Sequence, residues 1–127
     1  MCEMCDDPTL TPADMRARTL AMIDDHGWLI QYVEAGDGEP AFAYTVGLTG
    51  QGLPELQVVG LHVQAAHELL NRAAPLWENH ELRLGQTIAT RNSTFRLVPH
   101  VGPDEVFVAR DFYGSKVRVV DLRRVRL

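Results

Sequence analysis

Residues 41–61 read AFAYTVGLTGQGLPELQVVGL, and the architecture turns on how this stretch is divided. From Ala41 to Gly47 the chain alternates. Phe42, Tyr44 and Val46 fall on one side of an extended backbone, and Ala43, Thr45 and Gly47 on the other, which is the period-two pattern of a strand. Leu48 to Pro54 contains Gly50, Gly52 and a closing proline and reads as a loop. Glu55 to Leu61 is almost continuously apolar, the pattern of a strand covered on both faces.

The neighbouring segments extend this unit. Trp28 to Glu34 reads as a strand and Ala35 to Pro40 as a turn, so a hairpin with Ala41 to Gly47 is expected. Upstream, Thr11 is placed as an N-cap, with Pro12 at the first helical position, Asp14 in the first turn and Gly27 as the stop. Between them Met15, Thr19, Leu20, Met22, Ile23 and His26 share a face at helical spacing, while Asp14, Arg18, Asp24 and Asp25 lie opposite. Downstream, Val63, Ala66, His67, Leu70, Ala73, Ala74 and Trp77 form a second helical stripe. Pro75 falls on its outer side and is predicted to kink or end that helix near Ala74.

Beyond Gly85 the pattern returns to strands. Thr87 to Thr90, Thr94 to His100 and Val106 to Ala109 are candidates, with Val117 to Leu122 as a further strand or the final edge. Helix, three strands, helix, then three or four strands predicts an α+β fold: one mainly antiparallel, curled or barrel-like sheet with two packed helices. Residues 1–10 read as an acidic arm, and 11–127 as a single α+β domain.

Composition bounds the function. The chain has 127 residues, 46% hydrophobic and 23% charged, enough for one domain with a core and too few for two. No apolar run approaches the roughly 18 residues of a membrane span. Nothing at the start resembles a secretory signal, and two cysteines make no disulfide framework, so a cytoplasmic location is expected. Residues 1–60 carry ten acids and two bases, and 61–127 ten bases and seven acids. That asymmetry marks either an anion-binding end or two solvated faces, and it is compatible with a homo-oligomer. Net charge of −5 argues against nucleic acid as a partner.

Two constellations have chemical character. Cys2 and Cys5 have the spacing of two zinc ligands, which leaves two more to be supplied by histidines such as His26. The surrounding Glu3, Asp6 and Asp7 disfavour the thiolate that redox chemistry needs. An inert arm, a zinc site and a redox pair stand as alternatives, and His26 reads equally as a helix cap. The second constellation is a cleft lined by Tyr44, Thr45, Gly47, Glu55 and His62, with Gly47 permitting close approach of a ligand or another backbone. Core packing and turn chemistry are the competing account of the same residues.

His26-Gly27-Trp28, Phe42 to Leu48, Pro54-Glu55-Leu56 with Val58 and Gly60-Leu61, and Tyr113-Gly114 together resemble the bacterial family catalogued as domain of unknown function 4262. The resemblance runs from about Thr11 to Val120. Similar members, common in actinobacteria, often begin with a Cys-x-x-Cys arm, which implies a role for Cys2 and Cys5. It also brings Tyr113 into the candidate ligand-binding set. Such members often continue past Tyr-Gly with a Gln-Leu-Val-Trp-Pro-Asp-like run, where this chain has Val119-Val120-Asp121-Leu122-Arg123-Arg124. The resemblance implies no activity, cofactor or substrate.

Phosphate-loop, dinucleotide-fingerprint, zinc-protease and nucleophile-elbow patterns are all missing. The expectation is a binding or regulatory module for a protein or small-molecule partner. The alternative is a zinc or redox protein using the cysteine pair, or an enzyme holding a flavin-like cofactor on a barrel.

Overall fold

The structure, a computed structural model, describes residues 11–126. Eleven short segments alternate in it: α1 (Pro12–His26), β1 (Leu29–Val33), β2 (Phe42–Val46), a 3-10 turn (Leu48–Gln51), β3 (Glu55–Val59), α2 (Val63–Glu78), β4 (Thr87–Ala89), β5 (Thr94–Pro99), α3 (Phe107–Tyr113), a second 3-10 turn (Gly114–Lys116) and β6 (Val119–Arg124).

The strands form one six-stranded sheet in the order β1-β2-β3-β6-β5-β4. The hairpin is present, with Leu29 opposite Val46 and Val33 opposite Phe42. The sheet is not the mainly antiparallel, barrel-like one expected. It is mixed, because β6 runs parallel to β3, and it is open, with β1 and β4 at its edges. β6 is also central where the sequence left it as a candidate edge. Val120 and Leu122 are buried, and that burial draws the strand between β3 and β5.

α2 covers one face, packing Ala66, Leu69, Leu70, Ala73, Ala74 and Trp77 against Leu56, Val58, Leu97 and Leu122. It continues through Pro75 to Glu78 rather than ending near Ala74. The proline lies on the exposed side, where the carbonyl it leaves unpaired on exposed Asn71 meets water, while burial of Trp77 holds the last turn.

The other face carries α1 and α3 over Tyr44, Val46 and Val117. α3 replaces the strand expected over Val106 to Ala109 and raises the helix count among the described residues to three. Val106 and Ala109, three apart, are buried together, whereas Phe107 is 70% exposed. The helical face is therefore the one the core selects, and the β-branched valines gave a misleading local signal. α1 begins on the predicted N-cap Thr11, and Asp14 completes a capping box, each accepting the other's backbone N–H. Of its apolar stripe only Ile23 is buried; Leu20 and Met22 are exposed. Arg16 ties α1 to α3 through an ion pair with Asp111 and by lying 4.4 Å from the Phe112 ring centroid.

Candidate functional site

Glu55 begins β3 just after Pro54 and is wholly enclosed at 0% exposure. Its Oε1 accepts from Thr45 Oγ1 at 2.8 Å and from the Leu48 N–H at 3.1 Å. Its Oε2 accepts from the Gly47 N–H at 3.3 Å, the Thr49 N–H at 2.8 Å and Thr49 Oγ1 at 2.5 Å. Three successive amides of the loop thus converge on one carboxyl group. Burial pushes that group above the ordinary carboxylate range, against the pull of its hydrogen bonds from Thr49, Thr45 and Gly47. With both oxygens occupied and none of the group exposed, Glu55 acts as a staple that closes the loop between β2 and β3.

The neighbours of this staple are packed as tightly. Gly47 has φ +128°, and an added Cβ would lie 2.5 Å from the Gly27 carbonyl oxygen and 2.8 Å from Trp28 Cα. The close approach that glycine permits here is of backbone on backbone. Gln51 donates to Gly27 O at 3.1 Å and to Glu78 Oε2 at 2.9 Å, and Trp28 Nε1 donates to Glu78 Oε1 at 2.9 Å. Tyr44 is 1% exposed, and its hydroxyl accepts from the Val108 N–H at 3.0 Å. Burial raises its phenol above the usual range. Tyr113 lies against Gly50 on the same loop; burial first, then the charges of Glu55 and Asp24, push its phenol up.

A second polar row crosses the sheet where β3 meets β6. Gln57 faces Asp121 in the parallel register, and its Nε2 donates to Asp121 Oδ1 at 2.9 Å. Asp121 Oδ2 lies 2.8 Å from His100 Nδ1, and His100 Nε2 lies 3.0 Å from the Pro103 carbonyl oxygen. A carbonyl only accepts, so Nε2 carries a hydrogen; the carboxylate makes the same demand of Nδ1. The pair therefore favours the imidazolium. The Pro103 carbonyl and Asp121 raise the His100 pKa above its ordinary value. A histidine beside an aspartate has the outline of a general base, yet here neither ring nitrogen offers a free lone pair. Next to it Asp104 is held below the usual range by Arg110, which donates to it at 2.9 and 2.6 Å.

Beyond Gln57 and Asp121 the two parallel strands part. Val58 and Val59 go on to pair with β2, while Leu122, Arg123 and Arg124 pair with β5. A cleft of about 730 Å³ opens between them, lined by Gln57 and Asp121, where the strands part, and by Arg123, Arg124 and Arg126. In open sheets with parallel strands, crevices outside the carboxyl ends where neighbouring strands diverge are the usual seat of ligands. Arg124 lies over the Phe95 ring at 5.7 Å, and Arg123 and Arg126 make no ion pair among the described residues.

The structure brings Thr45, Gly47 and Glu55 into direct contact, with Tyr44 and Tyr113 around the same loop. It sets His62 apart at the other end of β3, where Nδ1 accepts from the Ala65 N–H at 3.4 Å and caps α2. His26 is the exposed last residue of α1, where Gly27 supplies the cap through its N–H to Ile23 O at 2.6 Å. Cys2 and Cys5 lie outside the described residues. Among the described residues no three His, Cys, Asp or Glu side chains gather as a metal group, and no helix is long and apolar enough to cross a membrane. The cleft residues Gln57 and Asp121 were not singled out by sequence, and His100 behind them was named only among the histidines that could complete a zinc site. The one available signal was the run of bases after Lys116, which ends in the three cleft arginines.

The sequence model of the family described as Domain of unknown function (DUF4262) matches residues 22–123, which span β1 to β6 and the last turn of α1. No curated protein and no solved structure matches the chain. The match takes in the Glu55 staple, the Tyr44 hydroxyl contact and the row from His100 to Gln57, and by it this chain belongs to the DUF4262 family.

Proposed function

We propose that the protein is a binding module that takes a small polar ligand in the cleft between the diverging ends of β3 and β6. The observation that carries this reading is the cleft itself. It opens where the only parallel pair among the described strands separates, and it holds a buried amide, a carboxylate and three arginines at one place. Gln57 Oε1 accepts no hydrogen bond from the described residues, which leaves an acceptor for a ligand.

The groups that look catalytic are engaged elsewhere. Both oxygens of Glu55 are taken up by the loop, and both nitrogens of His100 by Asp121 and Pro103. Recognition without bond-breaking fits that allocation. A ligand spanning the cleft would join the half-sheet of β1 to β3 with that of β4 to β6, which gives binding a route to a regulatory effect.

The reading is tested by amide chemical-shift mapping against a panel of nucleotides, sugar phosphates, amino acids and dicarboxylates. Saturable shifts centred on Gln57, Val59, Leu61 and Asp121 are expected. Replacing Val59, which is 52% exposed at the cleft, by Trp should abolish them. Shifts that centre on another surface, or that survive Val59→Trp unchanged, would overturn the assignment.

A further inference from the structure

The cleft also specifies the charge of what it takes, an inference that rests on the binding reading above. Arg123, Arg124 and Arg126 fall within four residues and line one cavity. Asp121 is the one acid on that cavity, and the His100 ring lies 2.8 Å behind it. Both oxygens of Asp121 are already engaged, Oδ1 by Gln57 and Oδ2 by His100. None of the three arginines makes an ion pair among the described residues, in a chain whose net charge is −5.

A solvated basic face is the ordinary reading of such a run, and two features separate this one from it. The three arginine residues line a concavity of about 730 Å³ together with Gln57 and Asp121, at the point where β3 and β6 part. One of them, Arg124, lies over the Phe95 ring at 5.7 Å from its centroid. Arginine presents a planar fork of donors that matches phosphate and carboxylate oxygens in bidentate fashion. A single carboxylate would leave most of this charge unmatched, whereas a phosphate ester supplies two negative charges on one tetrahedral centre. Gln57, a 5%-exposed residue of the lining, then reads the uncharged part of the molecule by hydrogen bonding.

We propose that the cleft between β3 and β6 binds a small phosphorylated molecule, its phosphate held by Arg123 and Arg126 and its polar body directed toward Gln57.

Inorganic phosphate, pyrophosphate and glycerol 3-phosphate are titrated by amide-shift mapping at constant ionic strength, with acetate, glycerol and sodium chloride as comparisons. The three phosphates should shift Gln57, Val59, Leu61 and the Arg123 to Arg126 amides saturably, and acetate and sodium chloride should not. The double variant Arg123→Gln/Arg126→Gln should weaken pyrophosphate binding at least tenfold, and Arg123→Lys/Arg126→Lys should restore part of it. Both pairs are exposed, and an unchanged far-UV spectrum confirms folding. Phosphates acting no better than matched sodium chloride, or the glutamine pair binding as the parent does, would overturn the proposal. Glycerol or acetate binding in the cleft as well as phosphate would overturn the charge preference and leave the binding site standing. Saturable shifts confined to another surface would overturn both.

Discussion

Thr45 Oγ1 donates to Glu55 Oε1 at 2.8 Å and in turn accepts from the Leu56 N–H at 2.9 Å, so one hydroxyl couples a buried carboxyl group to the backbone of the strand that carries it. The relay explains how a 0%-exposed acid is tolerated: each oxygen is met by donors the fold places in advance.

Glu55→Ala should cost about 3–5 kcal/mol, because three loop amides lose their acceptor in a buried setting. Glu55→Gln keeps one acceptor and should cost about 1–3 kcal/mol at neutral pH. Burial holds the native carboxyl above its unfolded value, so the folded state keeps that proton longer. Stability should fall as pH rises from the unfolded value through the folded one, and Glu55→Gln should remove that slope. Urea unfolding across pH measures both effects; a glutamine variant as stable as the parent, with an unchanged slope, would refute the staple.

Glycine substitutions should separate strain from clash. Gly52→Ala places a Cβ in open space at φ +79°, so only the conformational cost applies, about 1–2 kcal/mol. Gly47→Ala adds a collision with the Gly27 carbonyl at 2.5 Å and should destabilise well beyond that. Thermal melts of the two variants are the check, and equal losses would deny the close approach of the β2 end to Gly27 and Trp28.

Tyr44→Phe removes the acceptor of the Val108 N–H and keeps the ring that stacks on Phe42 with centroids 6.0 Å apart. A loss of about 1 kcal/mol is expected, with faster amide exchange at Val108 than elsewhere in α3. Unaltered exchange there would mean that α3 is not held through this bond.

The His100 contact predicts a pH dependence of opposite origin. Its pKa is raised by the Pro103 carbonyl and Asp121, so the folded state holds the proton more tightly than the unfolded chain. The stabilisation is complete below the unfolded value of about 6.5 and is lost as pH rises through the folded one. Asp121→Asn should move the His100 titration back toward its ordinary midpoint, as followed by its ring proton resonances. A midpoint that does not move would remove Asp121 as a cause.

Much of the fold was legible because it is local. The N-cap at Thr11, the stop at Gly27 and the hairpin of β1 with β2 each follow from residues a few positions apart. Thr45, Gly47 and Glu55 were legible as a group because they flank a short loop, although their mutual enclosure was not. Period misled where tertiary packing outweighed propensity: Val106 and Ala109 dock on the sheet as a helix, and Pro75 is carried along by a well-buried last turn.

By itself the sequence determined an α+β domain, its first hairpin, the stripe that buries α2 and the glycine at the β2 turn, since each depends on periodicity or backbone freedom within a short window. Only the tertiary structure decided that β6 would enter the sheet parallel to β3 and so open a cleft edged with arginines. It also set Asp121 between Gln57, 64 residues away, and His100, 21 residues away. Those pairings are chosen by burial of Val120 and Leu122 between strands distant in sequence, and no local pattern of residues encodes which neighbour a strand will take.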